Sequence, residues 1–320
     1  MIRMPSPRAH LRGTRRAWAV LAGSEGPAGV VGRWLDRPEA LPAAVPPAEN
    51  TLKYDLYLAD GPAGPAHGLA VADRWEEGNF PVSALLSALG GGYALDAAAA
   101  LRARLSAGAM QTLALGFDRP GAPPRAKLYL QEAVWGAGLG PPGAVEDALR
   151  AVLPGLPAAP PLPGPVGVVT VEAPAGAAPR AKLYVGGADP RALAVGLGAE
   201  TAALAAGIAA ACTHPGGHWY LTVRLGAGQP VRTALNHIYN HVQDGFRDRG
   251  AGLAAAWDDV ERQVAGTALA PRLAALRRTL DGEGGLRLVP TATAWEPGGG
   301  RDVYFGAWAL DGDGADGRAP

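Results

Sequence analysis

Five times along this chain an alternating run of β-branched or aromatic residues breaks at a Gly/Pro/Asp turn and then resumes. The runs span 51–75, 110–133, 166–188, 218–239 and 286–309. That pattern predicts five β-hairpins. Ala/Leu/Arg-rich stretches with helical spacing lie between them, at 81–107, 143–153, 189–212 and 251–281, with one more helix expected within 10–45. Ten antiparallel strands delivered as sequential hairpins leave exposed edges unless the sheet closes on itself. The expected fold is therefore α+β: a ten-stranded antiparallel β-barrel with an accessible lumen, ringed by α-helices. Residues 1–310 are read as one barrel domain and 311–320 as a disordered tail.

Composition narrows the classes of partner. The 320 residues carry a formal net charge of zero, and 48% of them are hydrophobic. That supplies a buried core and argues against nucleic acid or an anionic membrane as the partner. A single cysteine, Cys212, excludes an internal disulfide and, as an expectation, any cysteine-based zinc site. No apolar run approaches the roughly 20 residues that span a bilayer. The opening "RGTRRAWAVLAGSEG" resembles a twin-arginine leader, but its apolar stretch is short and lacks a clear small-x-small site. The expected setting is the cytoplasm, as a monomer or weak dimer.

Strand parity sorts the residues into two faces. In "RAKLYL", Arg125, Lys127 and Tyr129 share one face, while Leu128 and Leu130 share the other. With helices outside, the leucines face the helices and the polar set faces the lumen. The same parity sends Lys53, Asp55 and Tyr57 inward from "LKYDLYL", and Tyr220, Thr222 and Arg224 inward from "HWYLTVRL". It adds Arg232, Ala234 and Asn236, then Tyr304, Gly306 and Trp308. Thr112, Ala114 and Gly116 are small inward positions. Ten strands enclose more than side chains alone fill, so a ligand-sized lumen is expected.

One phrase is written twice. "PPRAKLYLQEA" at 123–133 returns as "APRAKLYVGGA" at 178–188. Lys53, Lys127 and Lys182 are the only lysines among 29 basic residues, so lysine persists at both copies of the phrase. A barrel of repeated helix and hairpin units carrying Arg-x-Lys-x-Tyr at 125–129 and 180–184 resembles the ABBA aromatic prenyltransferases, in particular the indole (dimethylallyltryptophan synthase-like) branch. The likeness in architecture covers nearly the whole chain; the motif likeness is two pentads and scattered single positions. It implies that Lys53, Arg125, Lys127, Arg180, Lys182, Arg224 and Arg232 hold a prenyl diphosphate. It implies that Tyr129, Tyr184, Tyr220, Tyr304 and Trp308 shield the allylic cation and shape the acceptor pocket. Asp55, in a "YDL" similar to the family's aromatic-Glu-Leu, would be the catalytic acceptor of the substrate's proton. Asp is one methylene shorter than Glu, and Asp55 can instead neutralise Lys53. No cofactor is required by the resemblance, although some phenol-directed members use Mg2+.

The chemistry fits these residue types. Ionising an allylic diphosphate leaves about three negative charges, which need converging cations in a water-poor site. The carbocation needs π faces rather than water, and a compact ammonium suits a phosphate oxygen in a tight lumen. "MQTLALGF" and "VGVVTVEA" lack cations to anchor a free amino-acid carboxylate. The expected function is transfer of a prenyl group, dimethylallyl first, from its diphosphate to an indole or tryptophan-derived acceptor. A phenol or a peptide is the alternative acceptor, and a non-catalytic barrel binding a hydrophobic anion is the rival class.

Other motifs have plainer readings. "WDDVER" at 257–262 lacks the third Asp of an Asp-rich magnesium motif and reads as a solvated helix face. His237 and His241 stand four apart without a Glu between them, and read as strand-end or capping residues rather than metal ligands. "LGGGY" and "GGGRD" are turns, and no nucleotide-binding loop is present.

Overall fold

The computed structural model describes residues 16–21, 53–61, 64–74, 92–105, 110–117, 125–131, 138–174, 178, 180–195, 197–212, 214, 218–239, 251–282 and 286–309. In chain order the elements begin with β1 (Lys53–Gly61), β2 (Gly64–Arg74), α1 (Gly92–Arg102), β3 (Met110–Phe117), β4 (Arg125–Gln131) and α2 (Pro142–Val152). Next come β5 (Val166–Pro174), β6 (Arg180–Gly187), α3 (Pro190–Leu193), α4 (Ala199–Ala211), β7 (His218–Gly226) and β8 (Arg232–Ile238). The chain continues through α5 (Ala251–Val264), α6 (Leu269–Gly282), β9 (Leu286–Trp295) and β10 (Arg301–Ala309). Residues 16–21 are also helical. The expected tail at 311–320 and His241 lie outside the described residues.

The ten strands close into one barrel, each antiparallel to its sequence neighbours. Closure comes from β1 against β10, where Leu56 faces Phe305, Tyr57 faces Tyr304 and Ala59 faces Asp302. Two register shifts adjust the curvature, one in β5 between Val166 and Val168 and one where β10 passes from Tyr304 to Phe305 against β9.

Two of the expected helical stretches are each divided. The 251–281 stretch breaks where Gly266 adopts φ +75°, the left-handed conformation that ends a helix at little cost for glycine. Thr267 then bridges the break: its hydroxyl donates to Val264 O at 2.6 Å and accepts from Leu269 N at 3.2 Å. In the 189–212 stretch, Gly198 at φ +94° separates α3 from α4. Asp189 caps α3 by accepting from Arg191 N at 2.9 Å.

Burial follows the parity of the strands. In β6, Ala181, Leu183 and Val185 are buried, while Arg180, Lys182 and Tyr184 between them are only partly so. The buried set joins Leu130, Val169, Val171, Leu221, Val223, Leu225 and Leu235 in one core with Leu101, Val145, Leu149 and Ile208 of the helices. The apolar core thus sits outside the barrel wall, between strands and helices. Each fully buried Leu or Val there contributes about 1.5–3 kcal/mol. The Leu183→Ala variant is expected to lose about 2–5 kcal/mol of unfolding free energy in chemical denaturation, and a loss near zero would show that this face is unpacked.

Candidate functional site

Inside the wall, strand pairing places the two pentads on either side of β5. Lys127 of β4 faces Glu172, which in turn faces Arg180 of β6. One row along, Tyr129 faces Thr170, Thr170 faces Lys182, Lys182 faces Arg224, and Arg224 faces Arg232. The phrase is repeated in sequence, but its copies are offset by one row in the barrel. Lys127 and Lys182 therefore meet diagonally over Glu172.

Both lysines reach the same carboxylate oxygen. Lys182 Nζ lies 2.5 Å from Glu172 Oε1, and Lys127 Nζ lies 3.9 Å from it. The Glu172 side chain is 3% exposed and each lysine 12%. On the next strand Arg224 pairs with Glu296 at 2.6 Å. Lys127, Glu172, Lys182 and Arg224 line a cavity of about 630 Å³ together with Tyr57, Arg180, Arg232, Asp302 and Tyr304. Five cations against two carboxylates line it among the described residues, so it suits a polyanion. The Arg180 Nε–H is buried without a hydrogen-bond partner among the described residues.

Aromatic rings extend from the charged level. Tyr129 and Tyr184 stand two residues beyond Lys127 and Lys182 on the same strands. Their ring centroids are 6.4 Å apart, and Tyr184 lies edge-on to Tyr220 at 6.5 Å. Across the lumen Tyr57 and Tyr304 are 5.6 Å apart. Burial, reinforced by the Glu172 charge, raises the Tyr184 phenol above its ordinary value. Burial and then Asp302 raise Tyr304 well above its own. Both rings stay neutral and present π faces. On the neighbouring pair of strands Asn236 donates to Thr222 Oγ1 at 2.6 Å.

Of the expected site residues, the structure brings Lys127, Arg180, Lys182, Arg224 and Arg232 to one cavity with Tyr304. Tyr129, Tyr184 and Tyr220 form the adjoining ladder. Lys53 and Asp55 lie on β1, paired with Ala72 and Ala70, and Trp308 lies on β10 opposite Arg287. The side chains of Lys53, Asp55, Arg125 and Trp308 fall outside the described residues. Sequence reasoning missed Glu172, Asp302 and Glu296. Parity offered the first two, because Glu172 alternates with Thr170 and Asp302 with Tyr304. "WDDVER" needs correction: Asp258 and Glu261 are exposed, but Asp259 is fully buried, held by Arg262 and by the His214 N–H at 2.9 Å.

Comparison with solved structures gives the architecture a context. The chain superposes with a TM-score of 0.60 on 5-dimethylallyl tryptophan synthase from Streptomyces coelicolor, solved with DMASPP and Trp. The two are 19% identical, over 99% of this chain and 98% of that one. The fold is theirs. A 6-dimethylallyltryptophan synthase from Micromonospora olivasterospora matches with a TM-score of 0.60 at 18% identity, over 94% of this chain and 96% of that one. AnaPT from Neosartorya fischeri matches at 0.58 and 13%, over 95% and 92%. No family model and no curated protein matches the sequence. Among the described residues no helix is long and apolar enough to cross a membrane.

Two predictions follow from the charged wall. Glu172→Gln removes the carboxylate that an incoming anion must compete with. It is expected to tighten inorganic pyrophosphate binding by about tenfold or more, a gain of about 1.4 kcal/mol, measured by calorimetry. Unchanged or weaker binding would refute the competition. Burial raises the Asp302 carboxyl above its usual 3.8, with Arg224 offsetting part of the effect. A raised carboxyl stabilises the fold only at low pH and costs stability as pH climbs through its folded value. Asp302→Asn is therefore expected to raise the Tm near pH 7, with the gain shrinking toward about pH 4, in thermal scans across that range.

Proposed function

We propose that this chain is an aromatic prenyltransferase. The observation that carries the reading is the convergence of Lys127 of β4, Arg180 and Lys182 of β6 and Arg224 of β7 on one cavity, with Tyr129 and Tyr184 one step along the lysine-bearing strands. An allylic diphosphate fits this division: charged oxygens on the ammonium and guanidinium groups, hydrocarbon against neutral rings. Its C–O bond breaks with the electron pair leaving on diphosphate, and the cations stabilise the charge that develops. Tyr129, Tyr184, Tyr220 and Tyr304 shelter the cation until an electron-rich ring carbon attacks. A base then removes the ring proton; Asp55, two residues before Tyr57 on β1, is the proposed base or hydrogen-bond acceptor.

Dimethylallyl is the proposed donor chain and an indole the first acceptor class, with a phenol or peptide tyrosine second. Two features favour an acceptor without a free carboxylate. No cation stands on β3 or β5, and β5 instead contributes the buried Glu172. The Streptomyces and Micromonospora structures named above were solved with DMASPP and Trp, which supports the donor and ring class without fixing either here. Lys53, Arg125 and Trp308 complete the proposed diphosphate and pocket set. The barrel is proposed as one domain spanning 1–310.

The test is incubation with dimethylallyl diphosphate and a panel of indoles and phenols, with and without Mg2+, read by mass spectrometry. The expected product is an acceptor carrying one dimethylallyl group in place of a hydrogen. Lys127→Ala and Lys182→Ala are each expected to lower kcat by about 10²–10³, the usual cost of one electrostatic group aimed at developing charge. Saturable binding without a new mass would instead mark a non-catalytic anion-binding barrel.

A further inference from the structure

A second cluster of reactive side chains lies on the helix side of the wall, apart from the lumen. Cys212 closes α4, His237 stands on β8 and Asp259 on α5. One ligand atom from each lies within 4.8 Å of the other two. His237 is 1% exposed and Asp259 fully buried. Three elements far apart in sequence thus deliver sulfur, nitrogen and oxygen to one point.

The surroundings favour a cation there. The Nδ1 of His237 is buried with no hydrogen-bond partner among the described residues, an arrangement native proteins seldom leave without a ligand or water. Its ring is held by stacking on Trp219 at 4.3 Å and by Tyr239 edge-on at 4.7 Å, so its orientation is set by packing. Gln263 donates to Cys212 Sγ at 2.7 Å, and Asp259 is oriented by Arg262 and the His214 N–H. Such outer contacts are those that aim metal ligands. The His214 ring, 6.3 Å from that of His237, is the adjacent candidate for a fourth ligand.

We propose that Cys212, His237 and Asp259 form a structural site for a zinc-like divalent cation, fastening α4 and α5 to β8. Zinc bonds to S, N and O at about 2.0–2.3 Å in tetrahedral geometry, so the ligands need close in by only about 1 Å. A thiolate with an imidazole and one carboxylate favours zinc over magnesium or calcium. Binding releases the Cys212 proton to solvent and changes no oxidation state.

The experiment uses the full-length chain stripped with chelator and titrated with Co2+, whose bond to a thiolate gives a near-ultraviolet charge-transfer band. One equivalent is expected to saturate the band, and Zn2+ to displace it and raise the Tm. Cys212→Ser is expected to abolish the band, and Asp259→Asn, separately, to weaken Co2+ binding at least tenfold. Folding of each variant is checked by circular dichroism; Cys212→Ser, nearly isosteric, covers the case where the other fails to fold. The absence of a band in the folded chain under excess Co2+ would overturn the proposal, as would a band that survives in Cys212→Ser. The readout is independent of prenyl transfer, so it stands or falls separately from the proposed function.

Discussion

Closure of the barrel is the constraint on which everything else rests. Once β1 pairs with β10, the two-residue repeat of ten strands has a single inside and a single outside. Leucines and valines that alternate with lysine, arginine and tyrosine must then face helices, and the polar set must share one lumen. A one-residue slip in any hairpin would turn that strand's charges into the apolar layer and its leucines into the cavity. The apolar core outside the wall and the charged site inside it are two consequences of one register.

The charged wall is costly by ordinary rules. Burying an ion pair often returns less than desolvation takes, and a lone buried charge is worse. The described lumen answers this by pairing: Glu172 lies between two lysines and Glu296 against Arg224. The positive excess that remains is held by side chains anchored on the barrel strands. Such preorganisation suits charge that appears only briefly during a reaction.

Much of this was legible in the residues. Five broken alternations gave the strands, and parity in "RAKLYL" separated Lys127 from Leu128 as the barrel wall does. The doubled pentad pointed to Lys127 and Lys182 as a pair. Other features needed coordinates. Glu172 sits on a strand that reads as merely hydrophobic, and only the one-row offset between the pentads brings both lysines onto it. Helix breaks at Gly266 and Gly198 hide within continuous Ala/Leu periodicity, because one left-handed residue leaves that rhythm intact. Asp259 looked solvated because "WDDVER" is polar; tertiary packing against His214 and Arg262 buries it. Cys212 and His237, 25 positions apart in sequence, show no metal spacing because the fold, not a loop, joins them.

The carboxylate of Glu172 gives both lysines of the lumen a resident partner. Under the proposed reaction, donor entry is then a swap, in which phosphate oxygens take over ammonium groups already engaged. In that reaction the reverse swap aids departure of the spent anion, because the fixed carboxylate stands 2.5 Å from Lys182. Under that proposal, a cradle strong enough to pull a leaving group off carbon would hold it too long, and an internal rival on β5 would limit that grip and let the site turn over.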